Sequence, residues 1–284
     1  TTIMEQHLKS IKVGFIGGGN MASAIGAGLI RRGILNPDNV WVSSRTDRTH
    51  GFWKDLGARA TLKNNEVVNN CDVVFLTVKP HMLDDALETI VEKKSGEKFK
   101  TKLFISVLAG ISLDVLHIKL STIVISPRII RSIPNTPMMI GEGITVYCSN
   151  NAEMKDLELV DMLFSYIGMS QIVPESLINS IGGLSGSGPA FAYLIIEALA
   201  DGAVKMGVPR PMATKFAAQV LVGAGKMVLE TGRHPGQLKD EVCSSGGTTI
   251  TGVHAMEKGG VRGSMMNAVE AAVNKTNELT SRLK

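Results

Sequence analysis

The chain has 284 residues, of which 44% are hydrophobic, 20% charged and 5% aromatic, and its formal net charge is +4. This length is typical of two domains or of one large domain, and the apolar share is enough for a substantial core. The sequence has no long basic run and no interleaving of aromatic with basic residues. It therefore disfavours nucleic-acid binding, whereas anionic substrates and cofactors remain compatible with the charge.

The first motif is glycine-rich and follows the apolar segment IKVGFI, residues 11–16, which we predict to be a strand. It has the form G-x-G-x-x-A, with Gly17, Gly19 and Ala22, and a helical pattern of apolar residues follows it. Between a strand and a helix, this motif is typical of dinucleotide binding. Its first glycine allows a tight turn, its second lets a pyrophosphate approach, and its small third residue lets the helix pack closely. A glycine turn in an ordinary α/β domain is the alternative.

Further apolar segments continue the alternation of strands and helices. Strands are predicted at residues 39–44, 71–80 and 103–110, with a helix over residues 46–57. Near-continuous apolar strands separated by helices indicate a parallel sheet covered on both faces, in which ligands bind beyond the carboxyl ends of the strands. We therefore predict an α/β fold, with an NAD(P)-binding, Rossmann-type doubly wound sheet over residues 1–150. Its ligand-facing ends are residues 17–21, 43–45, 77–80 and 109–110.

The end of the second predicted strand bears on the choice of cofactor. NAD-specific sites usually carry Asp or Glu there, whereas this chain has Ser43, Ser44 and Arg45. Two hydroxyls and a guanidinium suit a 2′-phosphate, which a carboxylate would repel. NADP(H) is therefore the preferred cofactor and NAD(H) is possible. The alternative is that Arg45 is a solvated surface charge.

The second half of the chain is predominantly helical. An amphipathic helix over residues 152–168 and a short extended piece precede two long helices, over residues 188–207 and 211–232. Polar residues of the first long helix lie four apart in one narrow stripe: Tyr193, Glu197, Asp201 and Lys205. A helix that is apolar almost all round must be buried, so we predict an all-α dimerisation domain over residues 151–284. A compact monomeric bundle is the alternative.

Two segments rich in glycine and hydroxyl residues interrupt these helices: GLSGSGPA, residues 183–190, and CSSGGTTITG, residues 243–252. Each precedes a helical segment, and a glycine-rich entry to a helix offers backbone N–H groups to an anion. Taken alone, each segment is also explained by a turn. Two of them in one domain, beside a dinucleotide fold, favour an anion site.

These segments also carry a resemblance to a known family. LSGSGPAFAYLIIEALADGAVKMG and HPGQLKDEVCSSGGTTITGVHAMEKGG closely resemble the signature region of pyrroline-5-carboxylate reductases. VGFIGGGNMASAI, FLTVKPHML and PRIIRSIPNTPMMIGEGITVY are similar to the N-terminal half of the same family. The resemblance runs from about Ile11 to the C-terminus. It implies an oxidoreductase that uses NAD(P)H to reduce Δ1-pyrroline-5-carboxylate to L-proline, the last step of proline biosynthesis.

The family pattern implies roles for particular positions. It implies a cofactor loop at Ile16, Gly17, Gly18, Gly19, Asn20 and Met21, a ribose or 2′-phosphate contact at Ser44, an adenosine-side contact at Asn64, and nicotinamide-side contacts at Val78, Lys79 and Ala109. It implies substrate contacts at Glu175, Gly247, Thr248 and Thr249. The sequence departs from the family at Arg45, where some relatives have proline, which affects cofactor preference. It departs again at Ser245, which replaces a common proline and is expected to loosen the substrate loop.

The implied reaction explains why residues 243–252 contain no His, carboxylate or lysine. A protonated imine accepts hydride readily and loses its charge as it does so. The site therefore needs positioning and a hydrogen-bond partner for the ring nitrogen more than a strong base. We expect backbone N–H groups of residues 247–249 to hold the substrate carboxylate. The Thr249 hydroxyl is expected to partner the nitrogen, directly or through water, which makes Thr249 the predicted catalytic residue. His81 and His254 are expected to be structural.

Two other functions remain open. A β-hydroxyacid dehydrogenase of related architecture needs a basic lysine on the first helix of the all-α domain. Lys205 is the nearest candidate, but it lies well along its helix, in the polar stripe. A non-catalytic NADP-binding regulator is expected to lose the substrate segment, which this chain retains.

The cysteines bear on the compartment. Cys71, Cys148 and Cys243 are odd in number and widely spaced, which favours free thiols in a reducing, cytoplasmic environment and indicates no metal site. Charges break the apolar runs well before the length of about 18 residues that a membrane span needs. Residues 1–10 leave no room for a signal or transit peptide, and the alternative is that such a segment has been removed. The expected partners are a small imino-acid substrate and a second copy of the chain, with a larger ring of dimers possible. Nucleic acid and membrane are not expected partners.

Overall fold

The computed structural model describes residues 8–90, 98–100 and 102–282. Its contacts divide the chain into two compact units. The first comprises the chain up to Gly186 together with the chain from Val273 onward, and the second is Ser187–Ala272. The sequence predicts a domain boundary at residue 150, but the strand and helices that follow this position pack with the first unit. Part of the segment over residues 1–10, which bears on the predicted absence of a signal peptide, lies outside the described residues.

The first unit is built on a single mixed sheet. Its strands are β1 (Val13–Ile16), β2 (Val40–Ser43), β3 (Arg59–Thr61), β4 (Val73–Leu76), β5 (Leu103–Ser106), β6 (Arg128–Pro134), β7 (Gly143–Cys148) and β8 (Gly168–Ile172). They lie in the order β3-β2-β1-β4-β5-β6-β7-β8. Neighbouring strands are parallel except β6 and β7, which pair antiparallel.

Helices cover both faces of the sheet. On β1, Phe15 packs in one apolar cluster with Trp53, whereas its neighbour Ile16 packs in a second cluster with Phe104. Because successive side chains of a strand point to opposite faces, both faces are buried, and the predicted doubly wound fold is confirmed. The α-helices of this unit are α1 (Asn20–Ala22), α2 (Gly28–Arg31), α3 (His50–Asp55), α4 (Asn64–Asn70), α5 (Leu83–Glu88), α6 (Leu113–Leu120), α7 (Met154–Ser165) and α8 (Glu175–Ser185), and a π-helical turn, Ser23–Ala27, joins α1 to α2.

The strand register brings the carboxyl ends of neighbouring strands to one edge of the sheet. Ile16 pairs with Ser43 on one side and with Leu76 on the other. Leu76 pairs in turn with Ser106, which pairs with Arg131 of β6. The loops after β1, β2, β4 and β5 therefore leave the sheet together, at what we call the carboxyl edge, where ligands of such sheets bind.

The second unit is helical and leaves much apolar surface uncovered. Its buried core contains only Ala200, Ala213 and Ala217, while larger side chains such as Leu194, 67% exposed, and Met206, 82% exposed, face outward. No helix in the described part of the chain is long and apolar enough to cross a bilayer. The helices are α9 (Gly188–Lys205), α10 (Arg210–Thr231), α11 (Pro235–Val242), α12 (Thr248–Lys258) and α13 (Val261–Arg282), and the last of these enters the first unit at Val273.

Candidate active site

The glycine loop after β1 has the backbone that a G-x-G-x-x-A turn requires. Gly17 has φ +106°, and a Cβ on it would lie 2.8 Å from the carbonyl of Thr77. The Thr77 hydroxyl donates to the carbonyls of Gly17 and Ile16, at 2.7 and 3.0 Å. A Cβ on Gly19, by contrast, would have no atom within 4 Å among the described residues. The loop is therefore locked at Gly17 and open at Gly19, which leaves room for a pyrophosphate beside the N–H groups that begin α1.

The underside of the loop rests on the start of α3. Gly18 accepts a hydrogen bond from the indole of the fully buried Trp53 at 3.3 Å. A Cβ on Gly18 would lie 2.9 Å from Thr49 Oγ1, which is buried without a hydrogen-bond partner among the described residues. Asn20 and Met21 follow in α1. A side chain at Gly18 would thus displace the loop that is predicted to hold the cofactor.

A cavity of about 330 Å³ lies where β2 and β3 end at the carboxyl edge. Two cations, Arg45 and Lys63, and the polar residues Ser44 and Asn64 are among its lining residues. Ser44 donates from its hydroxyl to the Thr46 carbonyl at 2.7 Å, which shapes the turn that carries Arg45. Two cations around one small cavity fit a phosphate that carries two negative charges.

Sequence reasoning missed Lys63. It follows β3, a strand of three residues that was not predicted, and its ammonium lies 3.5 Å from Glu66. A hydrogen bond from Thr61 and the charge of Lys63 hold the pKa of Glu66 below its usual value, so Glu66 stays ionised. A lysine in the loop that follows a parallel strand is the signal that could have identified it, had β3 been recognised.

Ser43 does not line this cavity. Its side chain is fully buried, and its hydroxyl donates to Asn64 Oδ1 at 2.6 Å. The Asn64 amide in turn donates to the Ala86 carbonyl at 3.1 Å and to Thr89 Oγ1 at 2.8 Å. Ser43 therefore supports Asn64 from below, and Ser44 and Arg45 remain the residues of this turn that face the cavity.

The loop after β4 carries Val78 and Lys79. Val78 is half-buried, Lys79 is exposed, and the 3-10 turn Pro80–Met82 follows. His81 is exposed in that turn. The Thr77 backbone N–H donates to the Ile16 carbonyl at 2.9 Å, so this loop and the glycine loop leave the carboxyl edge side by side.

The loop after β5, residues 107–112, is held at both ends. At its start, the Leu108 N–H donates to Ser106 Oγ at 3.2 Å. At its end, the Leu113 N–H donates to Glu175 Oε1 at 2.8 Å. Ala109 is exposed between these anchors, and Gly110 has φ +79°. The exposed Ala109 therefore lies on a backbone whose course is fixed on either side.

Glu175 is part of an ion-pair network at the carboxyl edge. Its Oε1 lies 2.8 Å from Nη1 of Arg131, whose side chain is only 4% exposed. Arg131 also donates from Nη2 to Asn179 Oδ1 at 2.7 Å. Burial raises the pKa of the Cys148 thiol, opposite Arg131 on β7, to about 11, so this thiol stays neutral. Glu175 Oε2 takes no hydrogen bond from the described residues, which leaves it free to meet a ligand.

In the second unit, residues 243–252 form a turn that opens α12. Gly246 has φ +66°, and the Gly247 N–H donates to the Ser244 carbonyl at 3.0 Å. The Gly247 carbonyl accepts from the hydroxyl of Thr251, at 3.0 Å. The N–H groups of Thr248 and Thr249 lie in the first turn of α12 and have no hydrogen-bond partner within the helix. Of the three backbone donors predicted at residues 247–249, these two are therefore available to a ligand.

The side chains around this turn are accessible. Thr248 is exposed and Thr249 is half-buried, while Ser245 and His254 are exposed. None of Thr248, Thr249 and His254 is buried as a core residue would be. The arrangement offers an anion two backbone donors and one or two hydroxyls at the positive end of an 11-residue helix.

The structure thus brings together the predicted residues of the carboxyl edge and, separately, those of the α12 turn. The glycine loop, Ser44, Arg45, Asn64, Val78, Lys79, Ala109 and Glu175 all belong to the first unit, and Gly247, Thr248 and Thr249 belong to the second. Among the described residues there is no group of three His, Cys, Asp or Glu that could hold a metal ion.

Comparison with known proteins matches both parts of the chain. A family profile described as pyrroline-5-carboxylate reductase dimerisation matches residues 175–279, and one described as NADP oxidoreductase, coenzyme F420-dependent, matches residues 12–110. Pyrroline-5-carboxylate reductase 2 of Bos taurus is 42% identical over 95% of this chain and 84% of its own length. The pyrroline-5-carboxylate reductase of Glycine max is 42% identical over 96% of this chain and 97% of its own. A crystal structure of Plasmodium falciparum pyrroline carboxylate reductase with NADP bound has a TM-score of 0.84 and 31% identity, covering 96% of this chain and 99% of that one.

Proposed function

The chain belongs to the pyrroline-5-carboxylate reductase family, and we infer from this that its carboxyl edge and its α12 turn serve one reaction. The protein is an oxidoreductase that reduces Δ1-pyrroline-5-carboxylate to L-proline with NADP(H), the last step of proline biosynthesis. The observation that carries this conclusion is the similarity to named reductases over nearly the whole chain, which includes both the glycine loop and the α12 turn.

The residues of the carboxyl edge fit NADP(H). The open space above Gly19 accepts a pyrophosphate, and Arg45 and Lys63 supply two cations for the 2′-phosphate. Asn64, held by Ser43, borders the adenosine end, and Val78, Lys79 and Ala109 border the nicotinamide end. When bound, the cofactor supplies hydride to the imine carbon of the substrate. NADPH is the preferred form because no carboxylate stands where it would repel the 2′-phosphate.

The α12 turn is assigned to the substrate. Its free N–H groups at Thr248 and Thr249 hold the substrate carboxylate, aided by the helix dipole. The Thr249 hydroxyl meets the ring nitrogen, whose positive charge disappears during reduction, and orients it without the need for a strong base. Glu175 Oε2, which is free of protein partners among the described residues, is a further substrate contact. Gly247 contributes through its backbone shape, because its own N–H is bonded to Ser244.

We also propose that the protein works as a homodimer joined through α9 and α10. The large apolar side chains of these helices are exposed in the single chain, and a second copy would bury them. A ring of several dimers is a further possibility that particle mass distinguishes. A cytoplasmic location is the proposed compartment, on the ground that all three cysteines are free.

One assay tests the proposed reaction. Purified protein is mixed with NADPH and pyrroline-5-carboxylate, NADPH oxidation is followed by absorbance, and proline is identified by chromatography. The expected result is equal consumption of NADPH and production of proline. A matched reaction with NADP⁺ and a series of β-hydroxyacids tests the dehydrogenase alternative. Turnover of a hydroxyacid without turnover of the imine would overturn the proposed function.

A further inference from the structure

Strand β6 carries two arginines that anchor helix starts in the same manner. Nη1 of Arg128 lies 3.0 Å from Asp156 and 3.2 Å from Glu153, the two acids that form the capping box of α7. Nη1 of Arg131 lies 2.8 Å from Glu175, the first residue of α8. In both arginines Nε is buried and has no partner among the described residues. The two side chains therefore form a matched pair of strand-to-helix anchors.

The two arginines lie toward opposite ends of the parallel strands, Arg128 at the start of β6 and Arg131 near the carboxyl edge. Arg128 pairs with Leu103 at the start of β5, whereas Arg131 pairs with Ser106 at its end. Since β5 runs toward the carboxyl edge, only Arg131 lies beside the loops that border the cofactor. Arg128 and Arg131 thus make the same kind of ion pair, but only Arg131 makes it near the proposed cofactor site.

The Arg131 anchor reaches the loop after β5 through Glu175. The same carboxylate oxygen that accepts from Arg131 accepts from the Leu113 N–H, where the loop over residues 107–112 ends. Loss of the guanidinium would free Glu175 to turn toward solvent, because this side chain is 35% exposed. The loop would then lose its second anchor, and Ala109 would lose its fixed position.

A second branch of the network borders the same loop. Arg131 donates to Asn179, and Asn179 donates to Asn277 Oδ1 of α13 at 2.9 Å. One turn further along α13, Thr280 stands beside the loop, where a Cβ on Gly110 would lie 3.4 Å from its hydroxyl oxygen. Arg131 thus holds two neighbours of the loop, Glu175 and Asn179, in one planar fork.

We propose that Arg131 is a positioning residue for hydride transfer. By holding Glu175 and Asn179 it fixes the loop over residues 107–112, and with it the nicotinamide end of the cofactor. Because the nicotinamide is assigned to Ala109, this role rests on the proposed function. Arg131 is buried and acts through these neighbours. A displacement of about 1 Å in reacting geometry is enough to cost roughly 100-fold in rate.

The experiment compares Arg131→Gln with Arg128→Gln in the full-length enzyme. Each change removes one guanidinium and its ion pairing from the same strand, half-buried at Arg128 and fully buried at Arg131, so both are expected to lower the melting temperature. Only Arg131→Gln is expected to lower kcat/KM for NADPH, by about tenfold or more, on the scale of such misplacement. With NADPH deuterated at the transferred position, the isotope effect on kcat should rise in that variant, because hydride transfer has become slower relative to product release.

Two further variants separate positioning from folding. Arg131→Lys keeps the charge, but an ammonium cannot bridge Glu175 and Asn179 as a guanidinium fork does, so we expect partial recovery of the rate. Asn179→Ala leaves the ion pair between Arg131 and Glu175 in place. It replaces Arg131→Gln as the test variant if Arg131→Gln does not fold. It is expected to give a smaller loss in kcat/KM with a raised isotope effect.

The outcomes are distinct. If Arg131→Gln or Asn179→Ala lowers kcat with unchanged KM and isotope effect, the loss reflects a smaller folded fraction and the positioning role is overturned. Equal kinetic losses in Arg128→Gln and Arg131→Gln overturn it as well. A wild-type protein that does not reduce pyrroline-5-carboxylate overturns the proposed function and this role together, whereas an active wild type with unaltered variants overturns this role alone.

Discussion

Ser43 and Asn64 are joined by a 2.6 Å hydrogen bond in which the buried serine hydroxyl donates to the amide oxygen that faces it. This contact ties the end of β2 to the start of α4, directly beneath the cavity lined by Arg45 and Lys63. The proposed adenosine end of the cofactor site thus has a buried, hydrogen-bonded base and two cations above it, and each part leads to a separate prediction.

Removal of the hydrogen-bonded base should affect stability first. Ser43→Ala leaves Asn64 Oδ1 without its donor, and such a loss costs about 1–3 kcal/mol in the free energy of unfolding. Denaturant titration measures it, and KM for NADPH should rise only modestly. Ser44→Ala is the control, because its hydroxyl bonds an exposed carbonyl and its loss should barely change stability. Equal stability of both variants would contradict the assignment of Ser43 as a support.

Removal of either cation should affect cofactor choice. Arg45→Ala and Lys63→Ala each remove one cation from the 2′-phosphate, and a charged hydrogen bond of this kind contributes about 1.5–3 kcal/mol. Each variant should bind NADPH about 10-fold or more weakly, while NADH binding stays nearly unchanged, as fluorescence titration with both cofactors can show. Equal losses for the two cofactors would mean that the residue does not contact the phosphate.

The α12 turn should control catalysis without controlling cofactor affinity. Thr249→Ala removes the hydroxyl assigned to the ring nitrogen, and one such partner is worth roughly 10- to 1000-fold in kcat/KM. Thr248→Ala keeps its backbone N–H and should have a smaller effect. Steady-state kinetics of both variants, with melting curves to check folding, give the comparison. A wild-type rate in Thr249→Ala would point instead to a water held by the backbone of the turn.

The helices of the second unit should hold two chains together. Light scattering at micromolar concentration should give at least twice the chain mass of 30.3 kDa. Leu194→Glu would place a charge on the exposed apolar face of α9 and should lower that mass, whereas Lys215→Glu, at an exposed position of α10 that already carries a charge, should not. A well-folded wild-type monomer would contradict the proposed dimer.

The sequence predicts the fold well because apolar strands and the glycine motif are each contained in one continuous segment of the chain. The strands predicted over residues 39–44, 71–80 and 103–110 are present, though each is four residues long, because the residues that follow them turn away from the sheet as loops. Three strands were missed. β3 has only three residues, and β6 carries two arginines whose ion pairs are invisible in a hydropathy pattern. Lys63 was missed together with β3.

The site is less predictable than the fold, for a physical reason. Successive strand residues point to opposite sides, so a position at the end of β2 does not reveal whether Ser43 or Ser44 faces the cavity. Likewise, Glu175 is readily assigned to the substrate by resemblance, but its bonds to Arg131 and Leu113 join residues that are 44 and 62 positions away. Such contacts arise from tertiary packing alone.

Gly17 and Gly19 of the glycine loop should respond differently to selection. Gly17 has no room for a Cβ and a backbone that side chains rarely adopt, so a library selected only for soluble expression should already retain glycine there. Gly19 has empty space around it, so the same library should accept alanine and serine at that position. Selection for growth without proline should then remove those substitutions at Gly19. The difference between the outcomes of the two selections would separate, residue by residue, what the chain needs in order to fold from what it needs in order to bind its cofactor.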